Sequence, residues 1–338
     1  MRITGQRWQP QEKAGSAPVR PLQIVPVSAQ AIEHAVDLLR RGELVGMPTE
    51  TVYGLAADAT SGNAVARVYE AKGRPQFNPL IAHVASVEQA VAEAAFDVRA
   101  LELANRFWPG PLTIVARAHG NGSVCELARA GQSTVALRVP NHPVALDLIR
   151  ALGRPIAAPS ANLSGRISPT CAADVITELG ERVALVIDAG ACTVGVESTI
   201  VAVLPDEPVY LLRPGGITRE ALLEVVADVA DSSGHGIDAP GQSRSHYAPR
   251  ARVRLNADAP RAGEAFLAFG DTGRSGDENL SSSGDLREAA ANLFGLLRKL
   301  DARGVAGIAV APIPARGLGV AINDRLRRAA AGDPATPA

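Results

Sequence analysis

The chain has 338 residues, a length that favours two domains over a single core. Hydrophobic residues make up 46% of it and charged residues 20%, and no apolar run reaches membrane-spanning length. This is the composition of a globular protein without a transmembrane segment. The formal net charge of −1 excludes a global basic field that would attract nucleic acid, so any contact with RNA has to come from a local patch.

The cysteines and the N-terminal residues indicate where in the cell the protein is expected to be. Cys125, Cys171 and Cys192 lie far apart and have no metal-ligand spacing. Without a disulfide framework they favour a reducing environment, and we expect a cytoplasmic protein. Residues 1–21 are polar and lack the apolar segment of a secretory signal, so we expect them to form a disordered tail.

Helices and strands are predicted to alternate up to about residue 230. The first helix covers 28–41, with Ser28 as its N-cap and Gly42 as its stop. Further helices are predicted near 62–71, 86–94, 97–107, 142–152, 171–180 and 218–229. Strands are predicted at 44–47, 80–84, 112–117, 134–139, 155–158, 183–187, 199–204 and 208–212. Because several connections are short, the α/β sheet that this order predicts must contain some antiparallel neighbours.

The composition changes at 231–250, which is rich in Ser, Gly, Pro and His and predicts a linker. Beyond it, strands are predicted near 251–256, 264–269 and 305–310, and a last helix near 318–330. An amphipathic helix between them has a buried stripe formed by Leu286, Ala290, Leu293, Leu297 and Leu300. The predicted division is a tail (1–21), a first domain (22–230), a linker (231–250) and a smaller α/β domain (251–338).

A loop with two cations is the strongest local indication of a binding site. Lys72, Gly73, Arg74 and Pro75 follow a predicted helix, and a proline-braced loop can hold an ammonium and a guanidinium group against an anion. Asn78 and His83 come shortly afterwards. The alternatives are a solvated helix cap for the cations and an ordinary core histidine for His83.

Arg138 lies in a strand of apolar neighbours, where an unpaired charge would be costly. Its partner is either a structural Asp or Glu or the carboxylate of a ligand, and the sequence leaves both open. Arg213 precedes Pro-Gly-Gly and is similarly placed at a strand end.

Three polar segments could contribute hydroxyl and amide groups. In Pro48–Gly54 we expect the hydroxyls of Thr49, Thr51 and Tyr53 to line one side of an extended segment; the alternative is a surface strand. Ser160 and Asn162 follow a short strand, where ligands collect in open α/β sheets, and would point the same way if extended. A capping turn is the alternative there. Phosphate-loop, dinucleotide, zinc-protease and nucleophile-elbow motifs are absent from the sequence.

The ordered motifs resemble those of the threonylcarbamoyl-AMP synthase family, in its two-domain form built on a YrdC-like domain. The similarity is strong over 22–230 and weaker beyond. The matching segments are PTETVYGL at 48–55, KGRPQFNPL at 72–80, FWPGPLT at 107–113, ALRVPNHP at 136–143, APSANLSG at 158–165, ESTIV at 197–201, LLRPGGIT at 211–218, SHYAP at 245–249 and GLGVAINDRL at 317–326.

This resemblance implies a YrdC-like twisted mixed sheet with flanking helices and a smaller, Rossmann-like C-terminal domain. It also implies an enzyme. Members convert L-threonine, bicarbonate and ATP, which is accompanied by Mg²⁺, into L-threonylcarbamoyladenylate and pyrophosphate. The adenylate passes to a downstream threonylcarbamoyl transferase complex, which modifies adenosine 37 of ANN-decoding tRNAs, and a weak contact with tRNA is expected.

The resemblance also assigns roles to residues of this chain. Lys72 and Arg74 are expected to act as catalytic cations. Residues expected to bind threonine are Thr51, His83, Arg138, Ser160 and Ser198. Residues expected to bind ATP are Arg74, Asn78, Thr134, Asn162, Thr170 and Arg213. His246 and Tyr247 are expected to form a lid, and no metal ligand is assigned.

The linker departs from the family pattern, because Gly241 to Ser245 lacks the additional Lys and Tyr residues that are common there, and Arg244 is expected to replace the missing cation. Two other functions stay open from the sequence. The first is a non-catalytic YrdC-like module that binds RNA through Lys72, Arg74, Arg138 and Arg213. The second is a carbamoyl transferase with a different acceptor, although this chain lacks the Cys-rich modules that accompany such enzymes.

Overall fold

A computed structural model of the protein describes residues 23–231, 246–271 and 278–332. The predicted tail (1–21), most of the predicted linker and Arg244 lie outside the described residues. The part that includes 23–231 is called the first unit below, and the described residues from 246 onwards the second unit. Residues 246–250 of the second unit are called the lid segment.

The described ranges contain helices in both units. They are α1 (Ala29–Arg40), α2 (Gly62–Lys72), α3 (Val87–Glu93), α4 (Val98–Phe107), α5 (Pro143–Leu152), α6 (Ala172–Leu179), α7 (Arg219–Leu223), α8 (Leu286–Asp301) and α9 (Leu318–Ala330). A single 3₁₀ turn at Gly180–Arg182 follows α6. None of these helices is long and apolar enough to cross a membrane.

The strands form two sheets. Those of the first unit are β1 (Gln23–Pro26), β2 (Val45–Met47), β3 (Gly54–Asp58), β4 (Ile81–His83), β5 (Leu112–Arg117), β6 (Thr134–Arg138), β7 (Ile156–Ala157), β8 (Leu185–Asp188), β9 (Thr199–Ala202), β10 (Val209–Arg213) and β11 (Val229–Asp231). Those of the second unit are β12 (Arg252–Arg254), β13 (Glu264–Ala268), β14 (Glu278–Asn279) and β15 (Gly307–Val310).

The large sheet is mixed, in the order β1-β8-β2-β3-β7-β4-β6-β5-β9-β10-β11. It contains both parallel pairs, such as β4 with β6, and antiparallel pairs, such as β5 with β6. The small sheet is parallel throughout, in the order β12-β15-β13-β14. The predicted fold class, a mixed α/β sheet followed by a smaller α/β unit, is confirmed. The exact boundaries of the predicted domains stay predictions.

Local sequence signals set several helix ends. The Ser28 hydroxyl accepts a bond from the Ala31 amide at 3.1 Å, as its predicted N-cap role requires, and Gly42 takes a positive φ of 74° after α1. Gly73 caps α2 with φ 58° and so turns the chain towards Arg74. The predicted stripe of the amphipathic helix also faces the core of the second unit, with Leu286 half-buried and its other four residues fully buried.

The two units share one hydrophobic cluster. Side chains of α8 and α9 pack with Val52, Ile167 and Val196 of the first unit and with Tyr247 of the lid segment. Ion pairs add to the contact, since Arg298 on α8 lies 2.8 Å from Glu178 at the end of α6. This packing puts α8 and α9 directly behind the loops that carry the polar motifs of the first unit.

Some predicted elements were wrong. The helix predicted at 218–229 covers only Arg219–Leu223 and is followed by strand β11, because the residues after Leu223 turn away from the helical path. Strand β3 was not predicted, since its Gly-Leu-Ala-Ala-Asp sequence has little strand propensity and forms a strand only between the buried neighbours β2 and β7.

Candidate active site

A small cavity, lined mostly by residues of the first unit, collects most of the polar motifs. It encloses about 50 Å³. Its lining combines hydroxyl groups, arginines, one glutamate and two histidines with a few apolar side chains. The lining residues are Thr49, Thr51, Val52, Gly54, Arg74, Ile81, His83, Arg138, Ala158, Pro159, Ser160, Glu197, Ser198, Arg213, His246 and Tyr247.

The segment before β3 is a turn, not the extended strand that was predicted. The Thr49 hydroxyl donates to the carbonyl of Val52 at 2.6 Å and accepts from the amides of Thr51 and Val52. Because its proton is used in this way, the Thr51 hydroxyl donates to Thr49 across 2.9 Å. Tyr53 points elsewhere and donates to the carbonyl of Gly190 at 2.8 Å. Two hydroxyls of this segment therefore face the cavity, where three were predicted.

His83 and Arg138 are neighbours at the ends of two parallel strands. The register of β4 and β6 pairs the two residues directly, so both side chains leave the same face of the sheet. His83 is buried, and burial together with the nearby charge of Arg138 lowers its pKa to about 3. Its imidazole is therefore neutral at physiological pH, and its Nδ1 has no hydrogen-bond partner among the described residues.

Arg138 has a structural carboxylate beside it, which was one of the two partners left open by the sequence. Its Nη2 lies 2.6 Å from Oε1 of Glu50, and both side chains are buried. Its Nη1 donates to Thr51 and its Nε to the carbonyl of Gly110. The angles at Nη2 are not those of a hydrogen bond, and neither Glu50 oxygen has a hydrogen-bond partner within the described ranges. Glu50 thus neutralises Arg138 without saturating it.

Arg74 reaches the cavity from the loop after α2. Its Nε donates to the carbonyl of Asn78 at 3.2 Å and its Nη2 to that of Pro79 at 3.0 Å, so the side chain is fixed by the backbone of its own loop. Burial lowers the pKa of its guanidinium to about 10, which leaves the charge in place at neutral pH. No acidic side chain pairs with Arg74 within 4.0 Å in the described part of the chain, which leaves a buried, fixed positive charge at the wall.

Lys72 does not line the cavity and lies behind its wall. Its ammonium donates to the carbonyls of Ser160 at 2.5 Å and Asn162 at 2.6 Å. Burial, and then the charge of Arg74, lower its pKa well below the usual value. In this arrangement Lys72 fixes the loop after β7.

Ser160 and Asn162 do not point the same way, since the segment after β7 is a turn. Ser160 lines the cavity, whereas the Asn162 side chain turns back and donates to the carbonyls of Leu163 and Arg166. Its Oδ1 is buried with no hydrogen-bond partner among the residues described.

Ser198 and Arg213 also line the cavity. The Arg213 guanidinium donates to the Ser198 carbonyl at 2.9 Å and to its hydroxyl at 3.2 Å, and the Thr113 hydroxyl lies 2.8 Å from the Ser198 hydroxyl. The chain passes very close here, because a Cβ on Gly215 would fall on the backbone of Glu197 to Thr199. Gly215 therefore allows the loop after β10 to lie against the segment that carries Ser198.

A residue that the sequence analysis missed comes from the second unit. Arg325 on α9 is fully buried and donates through Nε to Oε2 of Glu197 at 2.8 Å, while Ser168 donates to Oε1 at 2.5 Å. Burial alone would raise the pKa of Glu197, but Arg325 and Arg213 outweigh it and hold this pKa below its usual value. The GLGVAINDRL segment that contains Arg325 was the only signal for it in the sequence.

The lid segment contributes two residues to the lining of the cavity. His246 and Tyr247 are both buried, and their rings contact edge to face at 4.1 Å between centroids. Burial lowers the pKa of His246 to about 3, so this imidazole is also neutral. Tyr247 adopts a positive φ of 63°, and Ala248 donates to the carbonyl of Gly165 at 2.9 Å. Pockets for small molecules usually enclose several hundred Å³, so the lid segment has to move before a nucleotide enters.

Comparison with known proteins decides the family. Residues 37–215 match the Sua5, YciO and YrdC family model, described as telomere recombination, and residues 217–331 match the model described as threonylcarbamoyl-AMP synthase, C-terminal domain. The threonylcarbamoyl-AMP synthase of Pyrococcus abyssi is 41% identical over 320 residues, which are 88% of this chain and 93% of the relative. The chain belongs to the threonylcarbamoyl-AMP synthase family.

Two further comparisons agree with this membership. The threonylcarbamoyl-AMP synthase of Bacillus subtilis is 40% identical over 324 residues, covering 89% of this chain and 93% of its own length. The crystal structure of P. abyssi Sua5 complexed with L-threonine superposes with a TM-score of 0.83 at 39% identity, over 91% of this chain and 97% of that one. As a member of the threonylcarbamoyl-AMP synthase family the protein is an enzyme. The family resemblance found in the sequence is confirmed.

Several residues to which the family resemblance gives a role lie outside the lining. Thr134 begins β6, about 13 Å along the strand from Arg138, and donates to Gln132. Thr170 precedes α6, where its amide donates to Asp174 at 2.9 Å. Asn78 lies on the loop beyond Arg74, with its side-chain oxygen buried and without a hydrogen-bond partner among the described residues. The roles given to these three residues in ATP binding stay predictions, as do those of Lys72 and Asn162.

The described residues do not by themselves form a metal site. They contain no group of three or more His, Cys, Asp or Glu side chains that could hold a metal ion. Glu50 and Glu197, the acids nearest to the cavity, each lie beside an arginine. The Mg²⁺ that is expected to accompany the nucleotide stays a prediction.

Proposed function

We propose that the protein synthesises L-threonylcarbamoyladenylate from L-threonine, bicarbonate and MgATP and releases pyrophosphate. The main support is the convergence of Arg74, Arg138 and Arg213 on one cavity, whose lining also contains the hydroxyls of Thr49, Thr51, Ser160 and Ser198, two neutral histidines and a single glutamate. The reaction brings together an amino-acid carboxylate, a carbamate and a triphosphate, all of them anions. Fixed positive charge in a site closed to water is the arrangement that stabilises such a complex.

The chemistry is balanced without a protein nucleophile. The threonine nitrogen attacks the carbon of bicarbonate, and loss of water gives N-carboxythreonine. One oxygen of this carbamate attacks the α-phosphorus of ATP, the bond to the β-phosphate oxygen breaks, and pyrophosphate leaves with its electron pair. Mg²⁺, which enters as part of the nucleotide substrate, neutralises charge on the phosphates.

On this proposal the wall with Thr51, His83, Arg138, Ser160 and Ser198 holds threonine. Nη2 of Arg138 lies 2.6 Å from Glu50 but carries two N–H groups, and on this proposal one of them binds the threonine carboxylate. The neutral His83 accepts or donates one hydrogen bond without adding charge. Arg74 and Arg213, on the other walls, face the phosphates. The threonine complex of the similar P. abyssi protein supports L-threonine as a ligand.

The lid segment excludes water during the reaction. A carbamate and an acyl adenylate are both sensitive to hydrolysis, and the buried side chains of His246 and Tyr247 line the cavity and take up space that water could fill. We further propose that the adenylate passes to a threonylcarbamoyl transferase complex, which modifies adenosine 37 of ANN-decoding tRNAs.

The alternative of a non-catalytic RNA-binding module is disfavoured by burial. Its motivating cations, Lys72, Arg74, Arg138 and Arg213, are at most 8% exposed. A nucleic-acid backbone contacts cations at the surface, so these four side chains cannot supply the electrostatic affinity that the module would need.

Pyrophosphate release tests the proposal. Purified protein in degassed buffer should release pyrophosphate from MgATP only when L-threonine and bicarbonate are both present. Serine in place of threonine should reduce kcat/KM at least tenfold, because it lacks a methyl group that the small cavity can bury and the exclusion of water is then incomplete. Equal release with serine, or with bicarbonate omitted, would contradict the proposed reaction.

A further inference from the structure

Arg325 is the deepest charge that the second unit brings to the first. It lies on α9, is 0% exposed, and makes three charged or polar contacts at 2.8 Å, to Oε2 of Glu197, to the carbonyl of Pro214 and to Oδ2 of Asp324. Two of these partners belong to the loops that carry Ser198 and Arg213. A planar guanidinium fork can hold three acceptors at fixed angles, which an ammonium cannot do.

The same guanidinium lies against the lid segment. Its Cζ is 5.3 Å from the centroid of the Tyr247 ring, and Phe294 on α8 stacks on that ring at 5.5 Å. Tyr247 holds a left-handed backbone conformation that costs on the order of 1 kcal/mol for a residue with a Cβ. This conformation persists only where the surrounding contacts fix it, and those to Arg325 and Phe294 both come from the second unit.

Glu197 and Tyr247 both line the cavity, so one buried arginine contacts two of its walls. We propose that Arg325 is a positioning residue for the reaction. Through it the second unit holds Glu197 in place and keeps Tyr247 over the cavity while substrates are bound. The expected effect of Arg325 on kcat/KM rests on the proposed function. The expected effect on the position of the lid segment rests on the contacts alone.

A double-mutant cycle tests the kinetic consequences of the proposal. Arg325→Lys keeps the charge but loses the fork, and it should lower kcat/KM for ATP roughly tenfold or more, the effect expected for one charged hydrogen bond. In a Tyr247→Ala background the same change should lower kcat/KM by a clearly smaller factor, because only the contact with Glu197 is then left for Arg325 to act through. A purely structural role predicts equal losses in both backgrounds, and that result would overturn the proposal.

The exposed Arg327 on the same helix provides the matched control. Arg327→Lys should leave kcat/KM within twofold of that of the unchanged protein. If Arg325→Lys does not accumulate as folded protein, Arg325→Gln, compared with Arg327→Gln, takes its place. An Arg325 variant that folds and keeps full activity would also overturn the proposal.

Hydrogen exchange of the free protein tests the structural consequence of the proposal, the fixing of the lid segment, without a measurement of activity. The Ala248 amide is bonded to the Gly165 carbonyl when the lid segment is closed. Arg325→Lys should speed deuterium uptake in the peptide that contains 246–250 about tenfold, with no change for Arg327→Lys. Unchanged deuterium uptake would overturn the proposal that Arg325 keeps Tyr247 over the cavity, whatever reaction the enzyme catalyses. Faster uptake in a protein that releases no pyrophosphate would reject only the proposed function.

Discussion

At the scale of single residues, the cavity wall depends on charges that are buried in pairs. Arg138 lies beside Glu50, and Arg325 beside Glu197. In each case the acid lies on a loop of the first unit, and the arginine belongs to a strand or helix far away in the sequence. Leaving either partner alone would cost about 3–5 kcal/mol, so the pairs fix the loops as well as the charges.

Two buried histidines make the stability of the protein depend on pH. The pKa of His83 and that of His246 are both lowered to about 3, from about 6.5 in an unfolded chain. The unfolded state therefore binds more protons below pH 6.5, and stability falls as the pH decreases towards 3. Between pH 7.5 and pH 5.5 we expect a loss of about 1.4 kcal/mol for each histidine in the free energy of unfolding.

Urea denaturation at the two pH values measures this loss. The variant with both His83→Gln and His246→Gln should lose most of the dependence, while His34→Gln, on the exposed face of α1, should retain it. A dependence that the double variant keeps in full would show that other groups cause it.

The sequence predicted the residue types of the site better than their contacts. The family resemblance placed Thr51, His83, Arg138, Ser160, Ser198 and Arg213 at one site, and the structure brings these six to one cavity. Glu50 and Arg325 were missed as partners, because their contacts join residues 88 and 128 positions apart and leave no local pattern. Lys72 was expected at the site and lies behind it, since its reach depends on how α2 packs.

At the scale of elements, the loop that contains Gly195 in the first unit packs against α8 of the second unit. Gly195 has φ 71°, and a Cβ at this position would lie 2.5 Å from the carbonyl oxygen of Ala291 on α8. Gly190, in the same loop, has a similar φ of 80° but nothing within 4 Å of an added Cβ. A comparison of the two glycines therefore distinguishes the cost of backbone strain from the cost of the close contact between the two units.

We expect Gly195→Ala to destabilise the protein more than Gly190→Ala does. Both variants carry the cost of a left-handed alanine, about 1–2 kcal/mol, and Gly195→Ala adds about 1–3 kcal/mol for the forced separation from α8. Thermal unfolding of the two variants side by side gives the comparison. Equal melting temperatures would mean that α8 moves away freely and that the contact between the units is loose.

Element prediction succeeded where capping and periodicity agreed. The N-cap at Ser28 and the apolar stripe of α8 were confirmed because each is a property of consecutive residues. Strand β3 and the short helix α7 were not predicted correctly, since the pairing of β3 with β2 and β7 and the parallel pairing of β10 with β11 are tertiary features.

At the scale of the whole molecule, the second unit completes the closed site. A two-part α/β architecture could be predicted from composition shifts and periodicity. Two other features depend on how the units pack: Arg325 of α9 contacts Glu197 in the cavity lining, and Val52, Ile167 and Val196 share a hydrophobic cluster with α8. Separate cores would have left the lid segment without the aromatic and cationic contacts that hold Tyr247.

The most direct test of the account is a crystal structure with L-threonine and α,β-methylene-ATP, in which the bond to be broken cannot react. We expect the threonine carboxylate within hydrogen-bonding distance of Arg138 and the α-phosphate beside the threonine nitrogen, with Arg74 and Arg213 on the phosphates and the lid segment moved to admit them. Threonine and nucleotide bound in separate places, or either one outside the cavity, would contradict the central claim of one shared site.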